Sequence, residues 1–148
     1  MPARTGRSPT AAVRALAPGH WGDNAGPAVL RAAVAPDQVE KVLSRFGDFG
    51  TVKIKVAEPG QGLNDDLQRV WAVRAAYPDA RIRLDANGGY SVEDAMVVAA
   101  AMIENGVSLD YLEQPVSTIA EMAELKLQLN KAGIGSLQTG GVKIAADE

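Results

Sequence analysis

Apolar and polar residues alternate in four short runs of the chain, and these runs predict four β-strands. The first run, TVKIKV at 51–56, alternates Val and Ile with Thr and Lys, which is typical of a strand with one buried face. The other three runs are RIRLD at 81–85, LDYLE at 109–113 and VKIAAD at 142–147.

Apolar residues at helical spacing occupy the segments before and between these strands. Segment 36–46 has Pro36 in its first turn and predicts an amphipathic helix. Three further helices are bounded by capping and helix-ending residues, from Asn64 to Pro78, from Ser91 to Glu104 with Gly106 after it, and from Thr118 to Gly133. Strands and helices therefore alternate strictly along the chain.

This alternation is typical of the α/β class, in which strands pair in parallel through right-handed crossovers. Periodicity alone leaves two architectures open, a doubly wound sheet and part of a (β/α)8 TIM barrel. A charged residue stands at or near the end of each predicted strand, namely Lys55, Asp85, Glu113 and Asp147. A barrel would place all four on the rim where its active sites lie, whereas a doubly wound sheet would spread them along an open edge. We therefore predict a partial TIM barrel.

Composition excludes several classes of protein. The 148 residues are 47% hydrophobic, carry a formal charge of -3 and include no Cys. Disulfide frameworks and thiolate metal sites are thereby excluded, and the acidic balance argues against a nucleic-acid partner. No apolar run approaches the length that crosses a bilayer. We expect a cytoplasmic protein without a membrane partner.

The first 34 residues differ from the rest in charge and pattern. They are rich in Arg, Pro and Gly and keep no sustained period. We predict a loosely structured leader over 1–34 and the partial barrel domain over 35–148. His20 and Trp21 lie in the leader, and neither is assigned a function.

The charged strand ends predict a metal site with a base beside it. Three carboxylates that converge on one rim repel each other unless a cation neutralises them, and oxygen ligands without His or Cys favour Mg²⁺ or Mn²⁺. Such an ion can hold a substrate carboxylate and stabilise the charge that appears when the neighbouring α-proton leaves. Lys53 and Lys55 lie on one face of a strand, so each disfavours the other's ammonium and one can act as a general base.

Four motifs in this order resemble the enolase superfamily, in its muconate-lactonizing branch: KIK at 53–55, DAN at 85–87, EQP at 113–115 and ADE at 146–148. Within that branch, three longer stretches are most similar to o-succinylbenzoate synthases of the actinobacterial type. These stretches are TVKIKVAEPGQ, NDDLQRVWAVR and YLEQPVSTIAEMAEL.

The resemblance implies a lyase that dehydrates a cyclohexadiene carboxylate in menaquinone biosynthesis. It implies that Lys55 removes the α-proton and then returns it to the departing hydroxyl, with Lys53 as its pKa-lowering neighbour. It also implies three Mg²⁺ ligands, Asp85, Glu113 and Asp147, with Asn87 and Glu148 in supporting positions.

Other interpretations stay open. The family also has a capping domain and barrel strands six to eight, which these residues do not supply. Three interpretations remain. The chain is a truncated enzyme of this type, it belongs to another enzyme of the branch (a dipeptide epimerase, an N-succinylamino acid racemase or a cycloisomerase), or it is a non-catalytic half-barrel. Open sheet edges in such a piece predict self-association. Taken alone, the two lysines fit an exposed edge strand and DAN fits a turn.

Overall fold

Five parallel strands lie side by side in the order in which they occur along the chain. The computed structural model describes residues 26–147. The strands are β1 (Ala28–Leu30), β2 (Thr51–Lys55), β3 (Arg81–Asp85), β4 (Leu109–Glu113) and β5 (Ile144–Ala145). Because each strand pairs in parallel with the next, all five carboxyl ends lie at the same edge of the sheet.

A helix fills each of the four connections. The helices are α1 (Val39–Leu43), α2 (Leu63–Ala76), α3 (Val92–Glu104) and α4 (Ile119–Lys131). Consecutive strands are neighbours throughout, so right-handed crossovers place every helix on one face of the sheet. A doubly wound sheet would instead reverse its strand order at a switch point. The observed order is that of an arc of a barrel.

Two helices begin where the capping residues predict. The Ser91 hydroxyl accepts a hydrogen bond of 3.0 Å from the Asp94 backbone, immediately before α3. The Thr118 hydroxyl accepts one of 3.0 Å from the Glu121 backbone, and the Glu121 carboxylate accepts one from the Thr118 backbone in return. This reciprocal pair satisfies two amide donors that the first turn of α4 would otherwise leave open.

The start of α2 differs from the prediction. Its N-cap is Gly62 and not Asn64, and the Gly62 amide donates to the Asp65 carboxylate at 2.8 Å. The local hydrogen bond therefore runs from the N-cap amide to an aspartate of the first turn, whereas Asn64 was expected to accept from a first-turn amide.

Three other elements also differ in extent. A strand, β1, lies within the segment predicted to be a loose leader, while His20, Trp21 and the rest of 1–25 lie outside the described residues. The predicted helix 36–46 is a short α1 between two 3₁₀ turns, Pro36–Gln38 and Ser44–Phe46. The predicted strand 142–147 pairs with β4 only through Ile144 and Ala145, while Val142 forms an isolated bridge with Gly135.

The core fills the space between the sheet and the helices. Alternate strand residues such as Val52, Ile54, Ile82 and Leu84 are fully buried there. Helix residues pack against them, including Met102 as the sequence predicts; Ile103, also expected inside, is 39% exposed. The intervening strand residues, among them the two lysines of β2, face the other side of the sheet. Within residues 26–147 no helix is long and apolar enough to span a membrane.

Candidate active site at the carboxyl ends of the strands

Three of the four charged strand ends form one row across the sheet. The parallel register pairs Lys55 with Asp85, Asp85 with Glu113, and Glu113 with Ala145. Lys53 lies two residues before Lys55 and therefore projects from the same face. The order and register of the strands thus bring together residues that are far apart in the sequence.

Lys55 is held by two neighbours from the β3 strand end. Its Nζ donates to the Asp85 Oδ2 at 2.7 Å and to the Asn87 Oδ1 at 3.1 Å. The Asn87 backbone, at a positive φ of 48° that Asn tolerates, donates to the other Asp85 oxygen at 3.1 Å. The DAN motif therefore forms a turn and also supplies two oxygen atoms that accept hydrogen bonds from the Lys55 amine.

Lys53 bridges two carboxylates. Its Nζ lies 3.2 Å from the Asp85 Oδ2 and 3.3 Å from the Glu113 Oε1. Asp85 is only 2% exposed, and Glu113 is 13% exposed. Together with Lys55, which lies 2.7 Å from the same Asp85 oxygen, Lys53 compensates the cost of burying the two carboxylate charges.

These contacts change two pKa values. Burial alone would lower the pKa of Lys53, but its hydrogen bond to Asp85 and the charges of Asp85 and Glu113 raise that pKa above 10.5. Burial alone would raise the pKa of Asp85, but hydrogen bonds from Lys55, the Asn87 backbone and Lys53 lower it below 3.8. The expected lowering by lysine repulsion therefore does not hold for Lys53, because carboxylates are its nearest charged neighbours.

Asp147 is not brought into this cluster. Its side chain is exposed, and its backbone amide donates to the Gln114 Oε1 at 2.9 Å. Across residues 26–147 no three His, Asp or Glu side chains stand in positions to hold one metal ion. The prediction that three carboxylates lie close enough to share an ion is therefore not met in this structure. Glu148 lies outside the described residues.

The donor set nevertheless fits a hard divalent cation. Asp85 and Glu113 already direct one oxygen each toward a common positive charge, the Lys53 ammonium. Both donors are carboxylate oxygens, which Mg²⁺ and Mn²⁺ prefer. Asp147 follows β5 on the same edge of the sheet. Its use as a third ligand stays a prediction.

Polar residues that were not predicted from the sequence support this edge. Gln114, at a φ of 40°, accepts from Asp147 and donates to the Val116 carbonyl at 2.7 Å, so it links the ends of β4 and β5. Asp66 and Arg69 of α2 are 2% and 1% exposed, although charged residues are rarely buried to this extent unless they are paired. Their spacing of three residues, which allows an ion pair on one helix face, was the available signal.

Comparison with known proteins agrees with this architecture. A family model described as "Enolase C-terminal domain-like" matches residues 34–148. An o-succinylbenzoate synthase from Mycobacterium tuberculosis is 49% identical over 116 residues, which cover 78% of this chain and 31% of that protein. An o-succinylbenzoate synthase from Mycolicibacterium smegmatis is 47% identical over 116 residues, which cover 78% of this chain and 32% of that protein. The chain thus spans about a third of the length of these curated relatives.

Solved structures agree on the fold. A mandelate racemase/muconate lactonizing protein from Herpetosiphon aurantiacus is 27% identical with a TM-score of 0.61, over 82% of this chain and 32% of that one. An enolase from Mycobacterium smegmatis, complexed with tartrate, is 33% identical with a TM-score of 0.57, over 65% of this chain and 22% of that one. The five-stranded sheet is therefore part of a TIM barrel, and the chain belongs to the enolase C-terminal domain-like family of the enolase superfamily.

Proposed function

We propose that this chain is part of a Mg²⁺-dependent o-succinylbenzoate synthase, a lyase that removes water from a cyclohexadiene carboxylate in menaquinone biosynthesis. The observation that carries the proposal is the cluster of Lys53, Lys55, Asp85 and Glu113 at the strand ends. The 49% identity to proteins of that name over 78% of the chain supports the choice of reaction.

Lys55 is the proposed base. Its Nζ stands at the rim with 18% of the side chain exposed, so a substrate above the sheet can reach it. As a free amine it would take the proton next to the substrate carboxylate and then return it to the hydroxyl that leaves from the same face. One lysine can perform both steps because the proton stays on its Nζ between them.

Asp85, Glu113 and Asp147 are the proposed Mg²⁺ ligands. When bound, the ion would supply a positive charge that holds the substrate carboxylate and stabilises negative charge as the proton leaves. Asp85 and Glu113 would then direct their oxygens toward the ion instead of Lys53. Lys53 would stay beside Lys55 as a second positive group and disfavour protonation of the base.

A hybrid protein tests the proposal. The 116-residue matching segment of the Mycobacterium tuberculosis relative would be replaced by the equivalent segment of this chain. We expect the hybrid to form o-succinylbenzoate from the cyclohexadiene carboxylate when Mg²⁺ is present. The unaltered relative is the control for the assay, and circular dichroism is the control for folding.

Two outcomes would contradict the proposal. A folded hybrid that forms no o-succinylbenzoate would show that these residues do not support the reaction. A hybrid that racemises an N-succinylamino acid or epimerises a dipeptide, but does not dehydrate, would assign the chain to another enzyme of the branch.

A further inference from the structure

A buried polar network contacts the backbone of the proposed base, Lys55, and of the loop that follows it. Its members are Asp66 and Arg69 of α2 and Tyr90 in the connection from β3 to α3, and they are 2%, 1% and 6% exposed. The proposed reaction gives none of them a role. Buried charged groups cost free energy that apolar residues of similar size would not, so their presence needs a reason.

Arg69 connects the network to the end of β2. Its Nη2 donates to the Lys55 backbone carbonyl at 3.0 Å and to the Asp66 Oδ1 at 2.7 Å. Its Nη1 donates to the Gln61 Oε1 at 3.0 Å. The guanidinium therefore fixes the backbone that carries the Lys55 side chain.

Asp66 connects the two loops that follow β2 and β3. Its Oδ2 accepts a hydrogen bond of 3.0 Å from the Ala57 amide and one of 2.6 Å from the Tyr90 hydroxyl. Ala57 comes two residues after Lys55, and Tyr90 comes three residues after Asn87. A single carboxylate oxygen therefore joins the loop that follows Lys55 to the loop that carries Asn87, a hydrogen-bond partner of Lys55.

The two loops touch at a point where the chain has no room for a side chain. A Cβ on Gly89 would lie 2.6 Å from the Ala57 carbonyl oxygen and 2.9 Å from the Ala57 Cβ. Ala57 itself has a φ of 60°, in the left-handed region that is unfavourable for alanine. Such a backbone persists only when the surrounding contacts hold it, and the Asp66 carboxylate supplies one of those contacts.

We propose that Asp66, Arg69 and Tyr90 are positioning residues that set the Lys55 amine against Asp85 and Asn87. This inference rests on the proposed role of Lys55 as the base. The network does not touch the substrate region; it acts through the Lys55 carbonyl, the Ala57 amide and the loop that follows Asp85.

A matched pair of hydroxyl deletions tests the inference in the 148-residue chain. Tyr90→Phe removes only the donor to Asp66 and keeps the buried ring. Tyr77→Phe is the control, because the Tyr77 hydroxyl donates to the Glu40 carbonyl at 3.4 Å, far along the chain from the strand ends. Both chains would be labelled with ¹³C and ¹⁵N and compared with the unaltered chain by NMR.

In Tyr90→Phe we expect the Lys55 side-chain, Asp85 carboxyl and Asn87 amide signals to shift. We also expect the Ala57 amide to lose about ten-fold or more of its protection from hydrogen exchange, since a hydrogen bond to a charged partner is removed beside it. Tyr77→Phe should leave these four groups unchanged. Arg69→Lys, which keeps the charge but loses the two-pronged contact, should move the same signals.

The inference is overturned if Tyr90→Phe destabilises the fold but leaves the Lys55, Asp85 and Asn87 signals at their original positions. The network would then be structural only. This readout requires no turnover, so its failure is distinguishable from failure of the hybrid enzyme, which would overturn the proposed function instead.

Discussion

Replacing Asp85 by Asn removes the charge on which both lysines depend. Asp85 is 2% exposed and accepts from Lys55 at 2.7 Å, while Lys53 lies 3.2 Å away. Hydrogen bonds to a charged group contribute about 1.5–3 kcal/mol each. The lysines keep 25% and 18% of their side chains in contact with solvent, which reduces the cost of leaving them unpaired. We expect the free energy of unfolding of Asp85→Asn to fall by about 2–3 kcal/mol.

Asp110→Asn is the matched control. Asp110 accepts from the Arg83 Nε at 2.8 Å, but the two side chains are 30% and 26% exposed. Such partly exposed pairs contribute about 0.2–1 kcal/mol. The assay is urea unfolding of the 148-residue chain at pH 7, followed by circular dichroism, with midpoint and slope fitted for each variant.

The pH dependence gives the same prediction a second readout. The pKa of Asp85 in the folded chain lies below its ordinary value of 3.8. The stability that the ionised Asp85 carboxylate contributes is therefore complete above pH 3.8 and is lost as the pH falls through the folded pKa. The stability difference between the unaltered chain and Asp85→Asn should therefore be constant near neutral pH and shrink only below about pH 4. An Asp85→Asn cost no larger than that of Asp110→Asn, or a difference that shrinks near pH 6, would refute the reasoning.

Three further predictions follow from the site and the fold. A chelator should abolish dehydration by the hybrid enzyme, and Mg²⁺ or Mn²⁺ should restore it; activity that survives exhaustive chelation would contradict a metal site. The 148-residue chain alone should show negligible dehydration and should associate as its concentration rises in sedimentation experiments, because β1 and β5 each pair on one side only within the described residues; a monomer with rapid turnover would contradict this. Gly89→Ala should lower the free energy of unfolding by about 1–3 kcal/mol, because its Cβ would overlap Ala57. Gly26→Ala is the control, since its Cβ would meet no atom within 4 Å, and it should change the free energy of unfolding by less than about 0.5 kcal/mol.

The strands β2, β3 and β4 could be predicted because local pattern and tertiary context agree there. Each has five residues with an apolar run or alternation, and each is followed by turn residues. β1 is an apolar run of only three residues, which is too short to predict a strand, and its pairing with β2 is what identifies it as one. The short β5 shows the reverse case, in which a strand-like run of six residues pairs over only two.

The candidate site also has a part that the sequence predicts and a part that it does not. Lys55, Asp85 and Glu113 could be placed together because parallel strands in sequence order align their carboxyl ends. Asp147 lies two residues beyond the last paired residue, where register no longer determines its position.

The spacing of Asp66 and Arg69 was a signal for their ion pair, but the other contacts of the supporting network could not be predicted because they depend on packing across elements. Asp66 and Arg69 are charged residues on a helix, and such residues face solvent unless a partner is buried with them. Their partners include the hydroxyl of Tyr90, more than twenty residues away, the Ala57 amide in the loop after β2, and the Lys55 carbonyl at the end of β2. The spacing of these residues along the sequence does not predict those contacts.

The most direct test of the account is the rate of o-succinylbenzoate formation by the hybrid enzyme after Lys55→Met. General bases contribute about 100- to 10,000-fold to such rates, and we expect a loss in that range with the fold intact by circular dichroism. The control is Lys126→Met on the exposed side of α4, which should keep the full rate. A Lys55→Met hybrid that dehydrates the substrate as fast as the Lys126→Met hybrid would contradict the assignment of Lys55 as the base.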